Sequence, residues 1–186
     1  MHLRIASVVV VVVTLAGCGN IAVVKSFSTK FESPAEGKTA NLRVITNGMV
    51  RGVPNSECID WYLPGAGVIA ARDGFAHRNY EDLGMPDSKW TAAVSKSNFY
   101  NTEVRVPAGE PLSLSFIGNG RVSAYAREQC FVSRSFTPQP GHNYELVMIE
   151  NGSSCQSRLV DFVDATQETV VKTEVPGLCS KWHSFM

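Results

Sequence analysis

From residue 40 onward, apolar and polar side chains alternate in short runs separated by Asn-Gly and Pro-Gly pairs. In "NLRVITNGMV", Leu42, Val44 and Thr46 alternate with Arg43 and Ile45, as on a strand with one face buried. Asn47-Gly48 follows, and both residues tolerate positive φ, so the pair predicts a hairpin. "PLSLSFIGNGRVSAYARE" puts Leu112, Leu114 and Phe116 on one face, turns at Asn119-Gly120 and returns through Val122, Ala124 and Ala126. "HNYELVMIENGSSCQSRLVDF" does the same with Tyr144, Leu146 and Met148, a turn near Asn151-Gly152 and a return through Leu159. "TEVRVPAGEP" supplies a strand ending at Pro107, and "CFVSRSF" and "ETVVKTEV" supply two more. Period-two runs with such turns predict an all-β fold: a single antiparallel β-sandwich of about seven or eight strands.

Helical periodicity is thin. "PDSKWTAAVSK" offers Asp87 or Ser88 as an N-cap and spaces Trp90 and Val94 by four, which predicts two or three turns. Residues 18–39 are polar, with Pro34 and Gly37, and keep no lasting period, so they read as a tether with a short strand at 21–24. The domain is then expected to span residues 40–186.

The N-terminus follows a different pattern. Arg4 precedes an uncharged run from residue 5 to 17 that contains six consecutive valines. A charged start, a short apolar core and small residues at the end make a secretory signal over residues 1–17. The run is too short for a membrane-spanning helix, which needs about 20 residues. Its last three residues with the one that follows, Leu15-Ala16-Gly17-Cys18, resemble the lipobox of bacterial lipoproteins. The resemblance implies cleavage before Cys18, acylation of its sulfur and, usually, of the new amine. Two or more acyl chains hold a protein firmly to a membrane where one does not. Gly19 rather than aspartate at the next position implies the outer membrane, by resemblance to the sorting rules of enteric bacteria.

Cys18 thereby accounts for the odd member of five cysteines. An exported domain meets an oxidising compartment, and Cys58, Cys130, Cys155 and Cys179 read as two disulfides. No Cys-x-x-Cys spacing supports zinc, and no metal is expected. Four cysteines allow three pairings. The expected hairpin between strands 131–136 and 144–149 puts Cys130 and Cys155 at one end, which favours Cys130 with Cys155 and Cys58 with Cys179. Two strand positions in a flat sheet lie about 10 Å apart, beyond the Cα separation of about 4.4–6.8 Å that a disulfide allows. That pairing therefore requires one of the two cysteines in a loop.

Processing removes Arg4 from 17 basic side chains and leaves 16 against 17 acidic ones. Near-neutrality gives no electrostatic footprint for nucleic acid. No Gly-x-Ser-x-Gly elbow, phosphate-binding loop, dinucleotide fingerprint or His-Glu-x-x-His occurs. His77, His142 and His183 lie far apart, and His142 beside Gly141 reads as a solvated turn residue. Lipid on Cys18 and pairing of the other cysteines leave no thiol nucleophile. No cofactor and no catalytic residue are expected.

Residues 56–90 mix Trp61, Tyr62, Phe75, Tyr80 and Trp90 with Asp60, Arg72, Asp73, His77 and Arg78. Rigid rings among arginines suit a recognition surface; equally, Trp61 and Trp90 suit the packing of a long loop onto the domain. Asp73, Phe75, His77, Arg78 and Tyr80 are the candidate partner-binding residues. The phrases "SPAEGKTANLRV", "LGMP", "EVRVPAGEPLSLSF" and "CFVSRSFTPQPGHNYELVMIENGSSC" resemble a loose class of proteobacterial envelope lipoproteins without a settled activity. The class implies a fold similar to transthyretin-like sandwiches. The expectation is a non-enzymatic, lipid-anchored envelope protein facing the periplasm, an accessory or binding domain. The alternative is a specific binder or inhibitor, for example of a cell-wall hydrolase, acting through residues 56–90, and an enzyme on β-sandwich architecture is the third reading.

Overall fold

A computed structural model describes residues 21–71, 81–94, 98–122, 126–164 and 166–180. The chain is mostly β. A short helix, α1 (Ile21–Lys25), precedes β1 (Thr39–Thr46), β2 (Met49–Pro54) and β3 (Gly67–Ala70). After α2 (Thr91–Val94) come β4 (Tyr100–Pro107), β5 (Leu112–Ile117), β6 (Arg121–Val122), β7 (Arg127–Glu128) and β8 (Phe131–Phe136). The series ends with β9 (Asn143–Asn151), β10 (Ser154–Phe162) and β11 (Glu168–Val170). One sheet has five strands in the order β11-β10-β9-β1-β4, a second has four in the order β3-β2-β5-β8, and β6-β7 form a ribbon. The described residues thus hold eleven strands, more than the expected seven or eight. The surplus includes β3, inside a segment read as loop, and the two-residue β7, while β6 falls at the start of the expected return through Val122.

Alternation predicts which residues of β5 and β9 enter the core, whereas β1 is buried on both faces and Val122, read onto a returning strand, is 75 % exposed. Leu42, Val44, Leu146 and Met148 from the five-stranded sheet and Val50, Leu112, Leu114 and Phe116 from the four-stranded sheet belong to one buried cluster. Each such side chain contributes roughly 1.5–3 kcal/mol when fully buried.

Pairing is another matter. The expected antiparallel arrangement fails between β1 and β9, which run parallel with Leu42 opposite Tyr144 and Val44 opposite Leu146. Of the three Asn-Gly pairs, only Asn151-Gly152 closes a hairpin, with Asn151 opposite Ser154 and Gly152 at φ 66°. Asn47-Gly48 instead carries the chain from one sheet to the other. There the Asn47 side chain donates to the Glu150 carbonyl at 2.9 Å and accepts the Glu150 N–H at 2.8 Å, extending the β1–β9 ladder by one step. Gly48 serves close approach: a Cβ would meet the Phe116 ring at 2.6 Å and the Ile117 carbonyl. Asn119-Gly120 leads to β6, whose partner is β7 and not β5.

The expected hairpin of strands 131–136 and 144–149 is also absent. β8 pairs with β5, β9 pairs with β1 and β10, and "TPQPGH" crosses between the sheets. The disulfides are nonetheless Cys130–Cys155 and Cys58–Cys179, with Cα separations of 5.6 and 5.0 Å. Cys130 lies just before β8 and Cys155 lies on β10, so the bridge joins the two sheets instead of crossing one. The in-sheet spacing of strands therefore does not limit it. Cys58–Cys179 ties the C-terminal segment to the 55–66 loop, beside an Ile59–Leu178 bridge.

The segment expected to be a tether is packed onto the domain from residue 22 onward. Residues 21–24 are helical where a strand was expected, and Ala22 and Ser26, one helical turn apart, are both buried. The Phe31 side chain is fully buried in the main cluster, and Phe31 N–H donates to the Val68 carbonyl at 2.9 Å. Of the other expected helix, read as two or three turns, the described residues hold one turn, α2, capped by Ser88, whose Oγ accepts the Trp90 and Thr91 N–H groups at 3.1 and 3.2 Å. Residues 95–97 lie outside the described residues.

Candidate functional site

Arg43 sits at an outward position of β1, opposite Glu103 on β4 and Glu145 on β9. A charge there reads as solvated, since the face turned from Leu42 and Val44 is the one a half-buried strand shows to water. Here residues 83–88 lie over the row and take it out of solvent: Arg43, Glu103 and Glu145 are 2, 8 and 1 % exposed.

The guanidinium is the hub. Its Nε and Nη2 donate to Glu103 Oε1 at 3.0 and 2.7 Å, and Nη1 reaches Glu145 Oε2 at 3.5 Å. Nη2 and Nη1 also donate to the Met85 and Pro86 carbonyls at 2.8 and 2.7 Å. Glu103 Oε2 accepts the Leu83 N–H at 2.7 Å. Ser88 Oγ donates to Glu145 Oε2 at 2.5 Å. Below the guanidinium, the Phe162 ring centroid is 5.5 Å from its carbon. Glu145 Oε1 is buried without a partner. The chemistry of this row is clamping. Both arms of the arginine and one carboxylate are committed to the backbone of residues 83–86, the strand-proximal stem of the segment that carries Asp73 to Tyr80. The Ser88 oxygen that donates to Glu145 also accepts two backbone N–H groups as the α2 cap.

A second buried arginine occupies the outer face of the other sheet. Arg51 on β2 lies between the rings of Phe27 and Trp61, 3.9 and 4.0 Å from their centroids, and Nη1 donates to Ser26 Oγ at 2.5 Å. Burial pushes its pKa down to about 10, so it stays charged at neutral pH. The rings stabilise it by cation–π attraction, about 2 kcal/mol or more for a desolvated pair. This gives Trp61 the packing role that its sequence context allowed. Trp61 also lies against Val53, Ile59 and Ala66.

His142 is exposed in the "TPQPGH" crossover, and its Nδ1 is 2.6 Å from Asp161 Oδ2. The ring stacks near Tyr144, whose hydroxyl accepts the Gln139 N–H at 2.9 Å and whose pKa is raised chiefly by burial. The histidine is thus paired as well as solvated.

Cys18 and the whole set Asp73, Phe75, His77, Arg78 and Tyr80 lie outside the described residues. The four remaining cysteines are brought together in two pairs. Sequence reasoning passed over Arg43, Glu103, Glu145 and Arg51. The available signal was weak: Arg43, Glu103 and Glu145 at outward positions of "NLRVI", "TEVRV" and "NYELV", with opposite signs in strands that prove to be neighbours. Among the described residues no group of three His, Cys, Asp or Glu side chains is placed to hold a metal ion, and no helix is long and apolar enough to cross a membrane. No protein-family model, curated protein or solved structure matches the chain.

Proposed function

We propose that the chain is a non-enzymatic cell-envelope lipoprotein, anchored through acylated Cys18 and presenting one two-layer β-sandwich as an accessory or binding domain in the periplasm. The observation that carries this reading is the pair of disulfides, which suits an oxidising compartment, combined with an apolar leader ending in Leu-Ala-Gly-Cys. The sandwich is supported by a single buried cluster fed by both sheets and by a disulfide that joins them. Intact-mass measurement on membrane-extracted protein tests the anchor. Loss of residues 1–17 with added acyl mass is the expected result; a soluble, unacylated chain starting elsewhere overturns it.

A binder acting through residues 56–90 is the more specific form of this reading. The Arg43–Glu103–Glu145 clamp favours it, because a stem held by buried charges reduces the ordering cost that a recognition loop incurs on binding. Crosslinking in the native membrane followed by co-purification identifies the partner. Arg78→Ala with Tyr80→Ala should then weaken capture at least tenfold, about 1.4 kcal/mol. Unchanged capture removes the loop from the interface.

A further inference from the structure

We infer that the α1 face of the domain rests directly on the membrane surface, so that the anchor fixes the orientation of the domain and does not merely tether it. The inference rests on the reading that Cys18 carries lipid. Cys18 precedes Ile21, the first residue of α1, by three peptide units, which span at most about 11 Å. Slack beyond α1 is absent because the following segment is built into the fold. Ser26 receives Arg51 Nη1 at 2.5 Å while its own hydroxyl donates to the Val23 carbonyl at 2.6 Å. Phe27 stacks on the same arginine and packs against Met49, Val68 and Ala71. Val68 N–H donates to the Thr29 carbonyl at 2.7 Å, and the absence of a side chain at Gly67 allows this approach: a Cβ there would meet Lys30 O at 2.7 Å.

The outward side of this face suits a bilayer interface. Ala22 and Ser26 point to the sheet, and Val24, on the opposite side of the helix, is 67 % exposed. Lys25 is exposed beside it. Trp61 shares the Arg51 guanidinium with Phe27, which makes the 55–66 loop part of the same face, and its neighbour Tyr62 is 65 % exposed. An exposed valine, a lysine and a tyrosine within reach of the acyl chains are what the headgroup region accommodates: tyrosine is enriched at that level, and lysine is drawn to anionic lipid. The clamp on Arg43 belongs to the other sheet, so its stem would face the aqueous compartment.

The test uses the full precursor, acylated in the expressing host, purified from membranes and reconstituted into phosphatidylethanolamine–phosphatidylglycerol vesicles with brominated acyl chains. Val24→Trp is compared with Val170→Trp, an exposed site on β11 of the opposite sheet. A third protein carries Val24→Trp and a long Gly/Ser insertion between Asn20 and Ile21. The expected result is quenching of the added emission at position 24, none at 170, and loss of the quenching when the linker is inserted. Equal behaviour of positions 24 and 170 in acylated protein, or quenching unaffected by the linker, overturns the inference and leaves the anchor standing. A mass without acyl chains overturns the anchor and the inference with it.

Discussion

Replacing Arg43 by methionine keeps most of the side-chain volume and removes the cation that is paired with two buried carboxylates. The wild-type guanidinium donates to Glu103 twice, to Glu145 and to two backbone carbonyls. Breaking a buried ion pair on one side typically costs about 3–5 kcal/mol, because the surviving charge stays desolvated. Two carboxylates survive here, so the upper half of that range is expected. With a urea m-value of about 2 kcal/mol/M, the midpoint should fall by about 2 M. Hydrogen exchange supplies a local readout: the Leu83 amide, held by Glu103 Oε2 at 2.7 Å, should exchange much faster in the variant. Arg43→Met combined with Glu103→Gln and Glu145→Gln should recover most of the loss. A single variant within about 1 kcal/mol of wild type, or a triple variant less stable than the single, would refute the account of the row as an electrostatic clamp.

The two disulfides should differ in worth. Loops of 121 and 25 residues correspond to about 5 and about 3.5 kcal/mol of unfolded-state entropy, so Cys58→Ala/Cys179→Ala should lower the denaturation midpoint more than Cys130→Ala/Cys155→Ala; the reverse order would contradict this. Gly67→Ala should cost about 1–3 kcal/mol by pushing the 29–30 backbone away, and it should accelerate tryptic cleavage at Lys25 and Lys30; unchanged cleavage would mean that the segment is not held there. Glu168 has its pKa lowered, first by the Arg158 hydrogen bond at 2.7 Å. Its contribution is present above its ordinary value of 4.5 and is lost as the pH falls through the lowered folded one. Exposure keeps the effect small, so it should appear as faster amide exchange at β11 in acid, which Glu168→Gln shows already at neutral pH.

Within β5 and β9, the sequence determined which side chains face inward. Leu112, Leu114 and Phe116, or Tyr144, Leu146 and Met148, share a face because the strand repeat of two is a local property of the backbone. Local chemistry likewise narrowed the cap to Asp87 or Ser88, and the structure selects Ser88, whose hydroxyl reaches the N–H groups two and three residues ahead. Which strand lies beside which is not local. Asn47-Gly48 and Asn151-Gly152 are the same dipeptide, yet one crosses between sheets and the other closes a hairpin, because Asn47 finds the Glu150 backbone and Gly48 fits against Phe116 only in the assembled fold. The parallel β1–β9 contact, which sets Arg43 between two glutamates, joins residues about a hundred positions apart that no short-range pattern relates. The docked N-terminal segment has the same cause. Its apolar residues are too few to show a period, and what holds it is a buried arginine that its own Phe27 shares with Trp61 and the room left by Gly67, so the partners come from other parts of the chain.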